Sequence, residues 1–393
     1  MGLSFFVETW YHFMYPGPFG TRVLFMKVVY NFLGKVTAKD VAKRAGVSET
    51  TVSMILNGKS GLKFPERTCR RVMDACNELG YMRNVTRINT SGEKTIVAIA
   101  PSFSNWYYIQ LVESMQQRAK ELGYALMVFN TFREVYQETH IMQICGQLPV
   151  SGMLVLYPPE NTLLLQQIGW EKPVVHIYDK NSHSGKDVFE VDGFQIGKIT
   201  AEHLIELGHE RIALISSTFE TKQTSRIHRL KGLRAAYEEH GYDPLRSVLA
   251  CSPEQELPDV KTPPEGYELG YIIAKRLIER GEDVTAFVAV NDVIGVGVMD
   301  AITDAGRHIP EDYSVCGCDN TNVCKYRGIS MTSVESYAKQ TGREAVDVLV
   351  HKIESGNTTA ELEDSPDGIT RVEYFPKLIA RRSTGPRRGL KLP

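Results

Sequence analysis

No stretch of this sequence is apolar for long enough to cross a membrane. A transmembrane helix needs about 20 consecutive apolar residues, and none of the hydrophobic runs in the 393 residues reaches that length. The first 34 residues are rich in aromatic side chains but have no basic n-region and no small-residue cleavage site. They therefore do not follow the pattern of a secretory signal, and we expect a soluble, cytoplasmic protein.

Cysteine motifs and catalytic motifs are missing as well. The seven cysteines are scattered without C-x-x-C spacing, which predicts reduced thiols. Cys316, Cys318 and Cys324 lie close together, but no histidine or fourth cysteine follows at the spacing of a metal site. The sequence also contains no G-x-S-x-G and no H-E-x-x-H motif. We predict no enzyme activity, no metal and no cofactor.

The net charge is only −2, but the charges are unevenly distributed. Residues 35–94 contain twelve Lys or Arg and six Asp or Glu, which gives this segment +6 and leaves −8 for the rest of the chain. A basic segment attached to an acidic body is typical of a protein whose small domain binds a polyanion. The composition, with 42% hydrophobic and 23% charged residues, is that of a globular protein.

The basic segment contains two short helices joined by a tight turn. Thr37 and Asp40 have the spacing of an N-terminal cap, and the apolar residues that follow recur at helical spacing until Gly46 ends the helix. Ser48 caps a second helix. One side of this helix is apolar, and the opposite side carries short polar side chains. This pattern predicts a helix-turn-helix that places its second helix in the major groove of DNA. An ordinary α-hairpin with a small polar face is the alternative.

After this motif, a helix that follows Pro65 closes a three-helix headpiece, and from Thr95 onward strands and helices alternate. Repeated βαβ units predict parallel sheets. The series starts afresh after Asp192, which predicts an α/β core of two doubly wound lobes. The predicted domains are an N-terminal extension (1–34), the helix-turn-helix headpiece (35–81), a hinge linker (82–94), the two-lobe core (95–384) and a basic tail (385–393).

Polar side chains follow several of the predicted strands. In open α/β sheets, ligands bind beyond the carboxyl ends of the strands, so these side chains are candidates for a small-molecule site. Carboxylates, an amide, an arginine and aromatic faces suit hydroxyl-rich or heteroaromatic ligands. Each residue also has a purely structural alternative, such as a helix cap for an aspartate. The candidates are Tyr107, Tyr108, Asp179, Ser225, Arg229, Asn291 and Asp319.

Several short stretches together resemble the headpiece of the LacI/GalR (lactose-repressor/galactose-repressor) family of bacterial transcription regulators. They are Asp40-Val41-Ala42, Ala45-Gly46-Val47-Ser48, Thr51-Val52-Ser53 and Leu56-Asn57-Gly58. Further matches are residues 203–213, 229–232 and 378–384, so that the resemblance covers residues 35 to 384.

The resemblance implies a repressor with a periplasmic-binding-protein-like core, whose lobes exchange late strands near residues 318–335. It also implies a homodimer or tetramer on a near-palindromic, double-stranded operator. The effector would be a sugar, a sugar derivative or a nucleobase, bound between the lobes. One departure concerns that ligand, because Leu156 stands where sugar-binding relatives often have a polar residue.

The chain departs from the family in two DNA-binding segments. The family's hinge inserts a leucine into the minor groove, whereas Thr90 or Asn89 occupies that position here. Glu49, Thr50 and Met54 stand at the positions that select bases, and Met54 replaces a common arginine that reads guanine. The predicted DNA-contacting residues are Thr37, Ser48, Glu49, Thr50, Thr51, Ser53, Met54, Asn57 and Arg87.

Two other functions compete with regulation: that of an exported solute-binding protein and that of an enzyme with a dinucleotide-binding fold. The core alone would suit an exported solute-binding protein, but the basic headpiece and the absent signal pattern argue against that function. Gly295-Val296-Gly297 faintly resembles a dinucleotide-binding motif, yet Asp300 stands where its third glycine should be. The first 34 residues have two explanations. They are upstream sequence translated from a misassigned start, with Met26 as the true start, or an added functional arm.

Overall fold

In the computed structural model, the described residues near the N-terminus form three helices. The structure describes residues 37–57, 64–79, 94–178, 187–219, 224–356 and 370–389, and the chain divides into two compact units, residues 1–91 and 92–393. The helices among the described residues of the first unit are α1 (Ala38–Ala45), α2 (Glu49–Asn57) and α3 (Glu66–Leu79). The predicted helix-turn-helix with its third helix is therefore confirmed.

The turn between α1 and α2 has the stop signal that the sequence predicts. Thr37 N donates to Asp40 Oδ2 at 2.8 Å, which completes a capping box at the start of α1. Gly46 has φ +65° and ends α1, because a residue without Cβ adopts the left-handed conformation at little cost. The small side chains that the three helices bury are Val41, Ala42, Ala45, Val52, Val72, Ala75 and Cys76.

A six-stranded sheet with helices on both faces forms the first lobe of the second unit. Its strand order is β11-β5-β4-β3-β1-β2, and all its strand pairs are parallel. One face is covered by α4 and α13 and the other by α5 and α6. The elements are β1 (Lys94–Ala100), α4 (Trp106–Glu121), β2 (Tyr124–Asn130), α5 (Val135–Gln147), β3 (Gly152–Val155), α6 (Thr162–Glu171), β4 (Val174–Ile177), β5 (Asp187–Val191), α13 (Ala338–Ser355) and β11 (Arg371–Tyr374).

The second lobe has the same architecture. Its sheet has the order β12-β10-β9-β8-β6-β7, in which only β12 is antiparallel to its neighbour. The elements are α7 (Gly193–Glu206), β6 (Ile212–Ile215), α8 (Thr224–Glu239), α9 (Pro244–Ser247), β7 (Val248–Cys251), α10 (Pro253–Glu256), α11 (Gly266–Glu279), β8 (Ala286–Ala289), α12 (Asp292–Asp304), β9 (Ser314–Asp319), a 3-10 helix (Asn322–Lys325), β10 (Thr332–Glu335) and β12 (Lys377–Ile379).

The chain crosses between the two sheets three times, after β5, after β10 and after β11. The expected exchange near residues 318–335 therefore lies further along the chain, since β9 and β10 both stay in the second sheet. The elements that return to the first lobe are α13 and β11. The predicted pair of doubly wound lobes is confirmed, although β5 and β7 had no clear signal in the sequence. No helix among the described residues is long and apolar enough to span a membrane.

Residues 385–389, the first part of the predicted basic tail, are held against the second lobe. Gly385 is buried, its N–H donates to Ser314 Oγ at 3.1 Å, and its carbonyl oxygen lies 3.0 Å from His209 Nε2. Arg387 N donates to the Leu207 carbonyl at 2.8 Å. These long-range contacts bind the segment to the second lobe, and short-range sequence patterns do not reveal them.

Two glycines bring the backbones of α7 and α8 into direct contact. A Cβ added at Gly197 would lie 2.0 Å from the Arg229 carbonyl oxygen, and one added at Gly232 would lie 2.0 Å from the Phe194 carbonyl oxygen. Gly297 has the same role on α12, where an added Cβ would lie 2.0 Å from the Tyr267 carbonyl oxygen of α11. The Gly-x-Gly sequence at the start of α12 thus serves helix packing.

Replacing Gly197 with Ala should destabilise the protein by about 1–3 kcal/mol, because the methyl group would push α8 away from α7. Urea denaturation measures this loss. Gly146→Ala on α5 is the matched control, since its Cβ would lie 3.7 Å from Ile168 Cγ1, an ordinary contact distance. Equal stabilities of the two variants would contradict the proposed packing.

Candidate functional site

The N-terminal end of α2 is held by its own side chains. Ser48 Oγ accepts from the Thr51 backbone N–H at 3.0 Å and lies 2.8 Å from Thr51 Oγ1. Val52 is fully buried against the other two helices, whereas Glu49 and Thr50 are exposed. The helix therefore packs through one side and presents the other to solvent, as a helix that enters a DNA groove must.

The predicted DNA-contacting residues differ in exposure. Those that are exposed are Thr37, Ser48, Glu49, Thr50 and Ser53, and those that are half-buried are Thr51 and Met54. The side chain of Asn57 and the whole of Arg87 lie outside the described residues, as do the linker positions Asn89 and Thr90.

A cavity of about 540 Å³ lies between the two lobes of the second unit, beyond the carboxyl ends of strands from both sheets. Its volume is within the range of small-molecule sites. Asp179 lies outside the described residues, and the other six candidates all line this cavity. They are Tyr107, Tyr108, Ser225, Arg229, Asn291 and Asp319.

Asp319, the last residue of β9, is buried in a strained backbone. Its φ is +109° and that of Asn320 is +47°, in a region that residues with a Cβ rarely adopt. Burial raises the pKa of Asp319 well above its usual 3.8, the nearby Arg229 opposes the rise, and the Asp292 carboxyl adds to it. No hydrogen bond of normal length reaches Oδ2 from the described residues, although the Asn105 amide is close enough to lower the pKa.

Arg229 extends from α8 toward the end of β8, where its Nη1 donates to the Val290 carbonyl. Asn291, the next residue along, accepts from the Ile294 backbone N–H through Oδ1 at 3.0 Å. Asn291 is therefore the cap of α12 as well as part of the cavity wall.

The paired tyrosines have different surroundings. The rings of Tyr107 and Tyr108 meet edge to face with their centroids 5.2 Å apart. Burial is the main cause that raises the pKa of Tyr107, which keeps its hydroxyl protonated. Tyr108 OH accepts from Arg133 Nη2 at 3.4 Å. Packing thus accounts for the ring contact, while the hydroxyl of Tyr108 belongs to a polar part of the wall.

Sequence reasoning missed four charged residues that line the same cavity. They are Arg133, Glu134, Arg226 and Glu265. Two of these had a usable signal. Arg133 follows the carboxyl end of β2, which is the rule that selected the other candidates. Arg226 lies three residues before Arg229, so both fall on one face of α8.

Comparison with known proteins decides the family. A family model for bacterial regulatory proteins of the lacI family matches residues 37–84, and one for a periplasmic binding protein-like domain matches residues 201–384. The HTH-type transcriptional regulator DegA of Bacillus subtilis (strain 168) is 30% identical over 358 residues, which cover 90% of this chain and 99% of DegA. The chain belongs to the LacI family.

Solved structures of LacI-family proteins share this fold. The transcriptional regulator CelR in complex with cellobiose has a TM-score of 0.61 at 24% identity and covers 88% of this chain and 99% of its own. The lac repressor dimer bound to operator and the anti-inducer ONPF has a TM-score of 0.61 at 23% identity and covers 90% and 100%. This LacI-family protein is a helix-turn-helix transcription regulator, and its relatives are regulators and not enzymes.

The raised pKa of Asp319 makes the stability of this LacI-family regulator depend on pH. The folded protein holds the proton more tightly than the unfolded chain, so stability is lost as pH rises above about 4. Asp319→Asn removes this dependence. We expect the free energy of unfolding of the wild type, relative to that variant, to fall with rising pH by about 1.4 kcal/mol for each unit of pKa elevation.

Urea denaturation of wild type and Asp319→Asn at a series of pH values measures the difference. The exposed loop residue Asp259 provides the control, because Asp259→Asn removes one carboxylate that is not buried. If the difference in the free energy of unfolding between the wild type and Asp319→Asn stays constant with pH, burial does not hold the proton on Asp319.

Proposed function

We propose that this LacI-family regulator binds a near-palindromic operator as a homodimer and that a small molecule in the interlobe cavity controls that binding. The observation that carries the proposal is the gathering of six predicted residues from both lobes around one cavity. Such a site links the position of one lobe to that of the other, since a ligand there contacts both.

The DNA-binding half of the proposal is supported by the headpiece. The capped end of α2 presents Glu49 and Thr50 to solvent, and a helix N-terminus is in general suited to phosphate contacts. The lac repressor, a neighbour in fold, was solved as a dimer on its operator. Two copies of a headpiece bind half-sites about one helical turn apart, which makes the operator a near-palindrome.

Control by the effector requires a difference in affinity between two arrangements of the lobes. A ligand shifts the equilibrium only by as much as it prefers one arrangement. The three chain crossings between the sheets are the segments about which the lobes would move. CelR, another neighbour in fold, binds cellobiose, and we infer an effector among sugars, sugar derivatives and nucleobases. A transcription regulator of this family acts in the bacterial cytoplasm, where the chromosome is.

Thr50→Glu should weaken operator binding at least about tenfold, or about 1.4 kcal/mol. The added carboxylate lies on the exposed side of α2 beside Glu49 and repels the phosphates. Gel shifts at fixed salt, on DNA fragments that the wild type selects from genomic DNA, measure the loss. Thr50→Gln has nearly the same size without the charge and should lose less. If Thr50→Glu binds as tightly as the wild type, α2 does not enter the groove.

Arg229→Gln should leave operator binding intact and abolish the response to the effector, because the guanidinium lies in the cavity and not in the headpiece. A thermal-shift screen with cellobiose, ribose, glucose 6-phosphate and adenine identifies a ligand through the rise in melting temperature. Lys231→Gln is the matched control, an exposed cation on the same helix. A response of Arg229→Gln at wild-type ligand concentrations would refute the assignment of the cavity.

A further inference from the structure

Two arginines face the cavity from opposite lobes. Arg133 lies in the turn between β2 and α5, and Arg226 lies in the first turn of α8. Both line the cavity that holds Arg229 and Asp319, yet the contacts described so far give neither of them a role in ligand binding. Their surroundings explain what kind of ligand would use them.

Arg226 carries a charge that no described carboxylate neutralises. No aspartate or glutamate of the described residues comes within 4.0 Å of its guanidinium, and the side chain is half-buried. Burial, together with the positive charges of Arg133 and Arg229, lowers the pKa of Arg226 to about 10 against a weaker opposing effect of Glu265. The positive end of the α8 dipole also lies here, which disfavours a cation.

Arg133 is positioned by aromatic groups. Its guanidinium lies over the ring of Tyr157 at 5.2 Å from the centroid and donates to Tyr108 OH at 3.4 Å. Phe132 and Arg133 have φ of +52° and +58°, so two successive residues with a Cβ are held in the left-handed region. Such strain persists only where the surroundings enforce it. Arg133 forms no ion pair within 4.0 Å with any described residue.

The charged groups of the cavity wall are three cations and three acids. Three arginines, Arg133, Arg226 and Arg229, stand against Glu134, Glu265 and Asp319. Because burial raises the pKa of Asp319, its carboxyl carries less negative charge than an exposed aspartate at the same pH. The two arginines on opposite lobes therefore repel each other until an anion separates their charges, and guanidinium groups are suited to binding oxyanions through paired N–H groups.

We propose that the effector carries a phosphate or carboxylate group and that Arg133 and Arg226 bind this group from the two lobes. The inference rests on the proposed function, because it assigns the class of ligand for the same cavity. Arg229, Asn291 and Asp319 then contact the uncharged part of the molecule. The anion relieves the repulsion between the two arginines. It therefore favours the arrangement in which the two lobes lie closer together.

The first test uses inorganic phosphate as the probe and the full chain as the protein. We expect phosphate to raise the melting temperature of the wild type above that in sodium chloride of equal ionic strength. Arg226→Gln and Arg133→Gln should lose this gain, and Lys231→Gln, which removes an exposed cation from the same helix, should keep it. Arg226→Lys retains the charge without the paired donors and serves where the glutamine variant does not fold. An equal gain in all variants would overturn the proposal.

The second test distinguishes the source of the anion and separates this inference from the proposed function. Titration calorimetry compares glucose with glucose 6-phosphate and glucuronate on wild type and Arg226→Gln. We expect an anionic compound to bind the wild type about tenfold to a hundredfold more tightly than glucose, and Arg226→Gln to lose that preference. The preferred anion identifies phosphate or carboxylate as the group.

A neutral compound distinguishes the proposed anion site from the more general proposal that an effector controls operator binding. Suppose glucose controls operator binding, requires Arg229, and binds wild type and Arg226→Gln equally well with no gain from a charged group. The anion site would then be refuted, while effector control would stand. Conversely, anion binding that depends on Arg226 but never alters operator affinity would support the anion site and refute effector control.

Discussion

The backbones of α7 and α8 touch at Gly197 and Gly232, and the second lobe's part of the cavity depends on that contact. The Arg229 carbonyl lies where a Cβ of Gly197 would be, so the position of α8 is set by backbone and not by adaptable side chains. In an interior packed this densely, one helix cannot shift against the other without atomic clashes. Arg226 and Arg229 both lie on α8, so this helix contact sets their positions.

The residues that line the cavity lower the stability of the folded protein. Asp319 is buried beside a second carboxyl, that of Asp292, and its backbone is strained. Asp292 itself is held by Ser333 Oγ at 2.6 Å and by the Thr321 N–H at 2.7 Å, so this part of the second lobe is a hydrogen-bonded frame around two acids. Residues that reduce stability and yet are held so firmly are typical of binding sites.

The headpiece has a different physical basis. The described residues that are buried among α1, α2 and α3 have small side chains, and local caps at Thr37, Gly46 and Ser48 fix the ends of the first two helices. The core, in contrast, depends on strands that are far apart in sequence, and its cavity exists only where two such sheets face each other.

The sequence alone determined the headpiece, the two βαβ series and the six cavity residues that could be compared with the structure. Those patterns are local, since caps, periodicity and the residue after a strand do not depend on distant partners. Tertiary structure decided the rest. It returned α13 and β11 to the first lobe and bound Gly385 to the second lobe. Each of these depends on contacts between residues far apart in the chain, for which a single sequence carries no periodic signal.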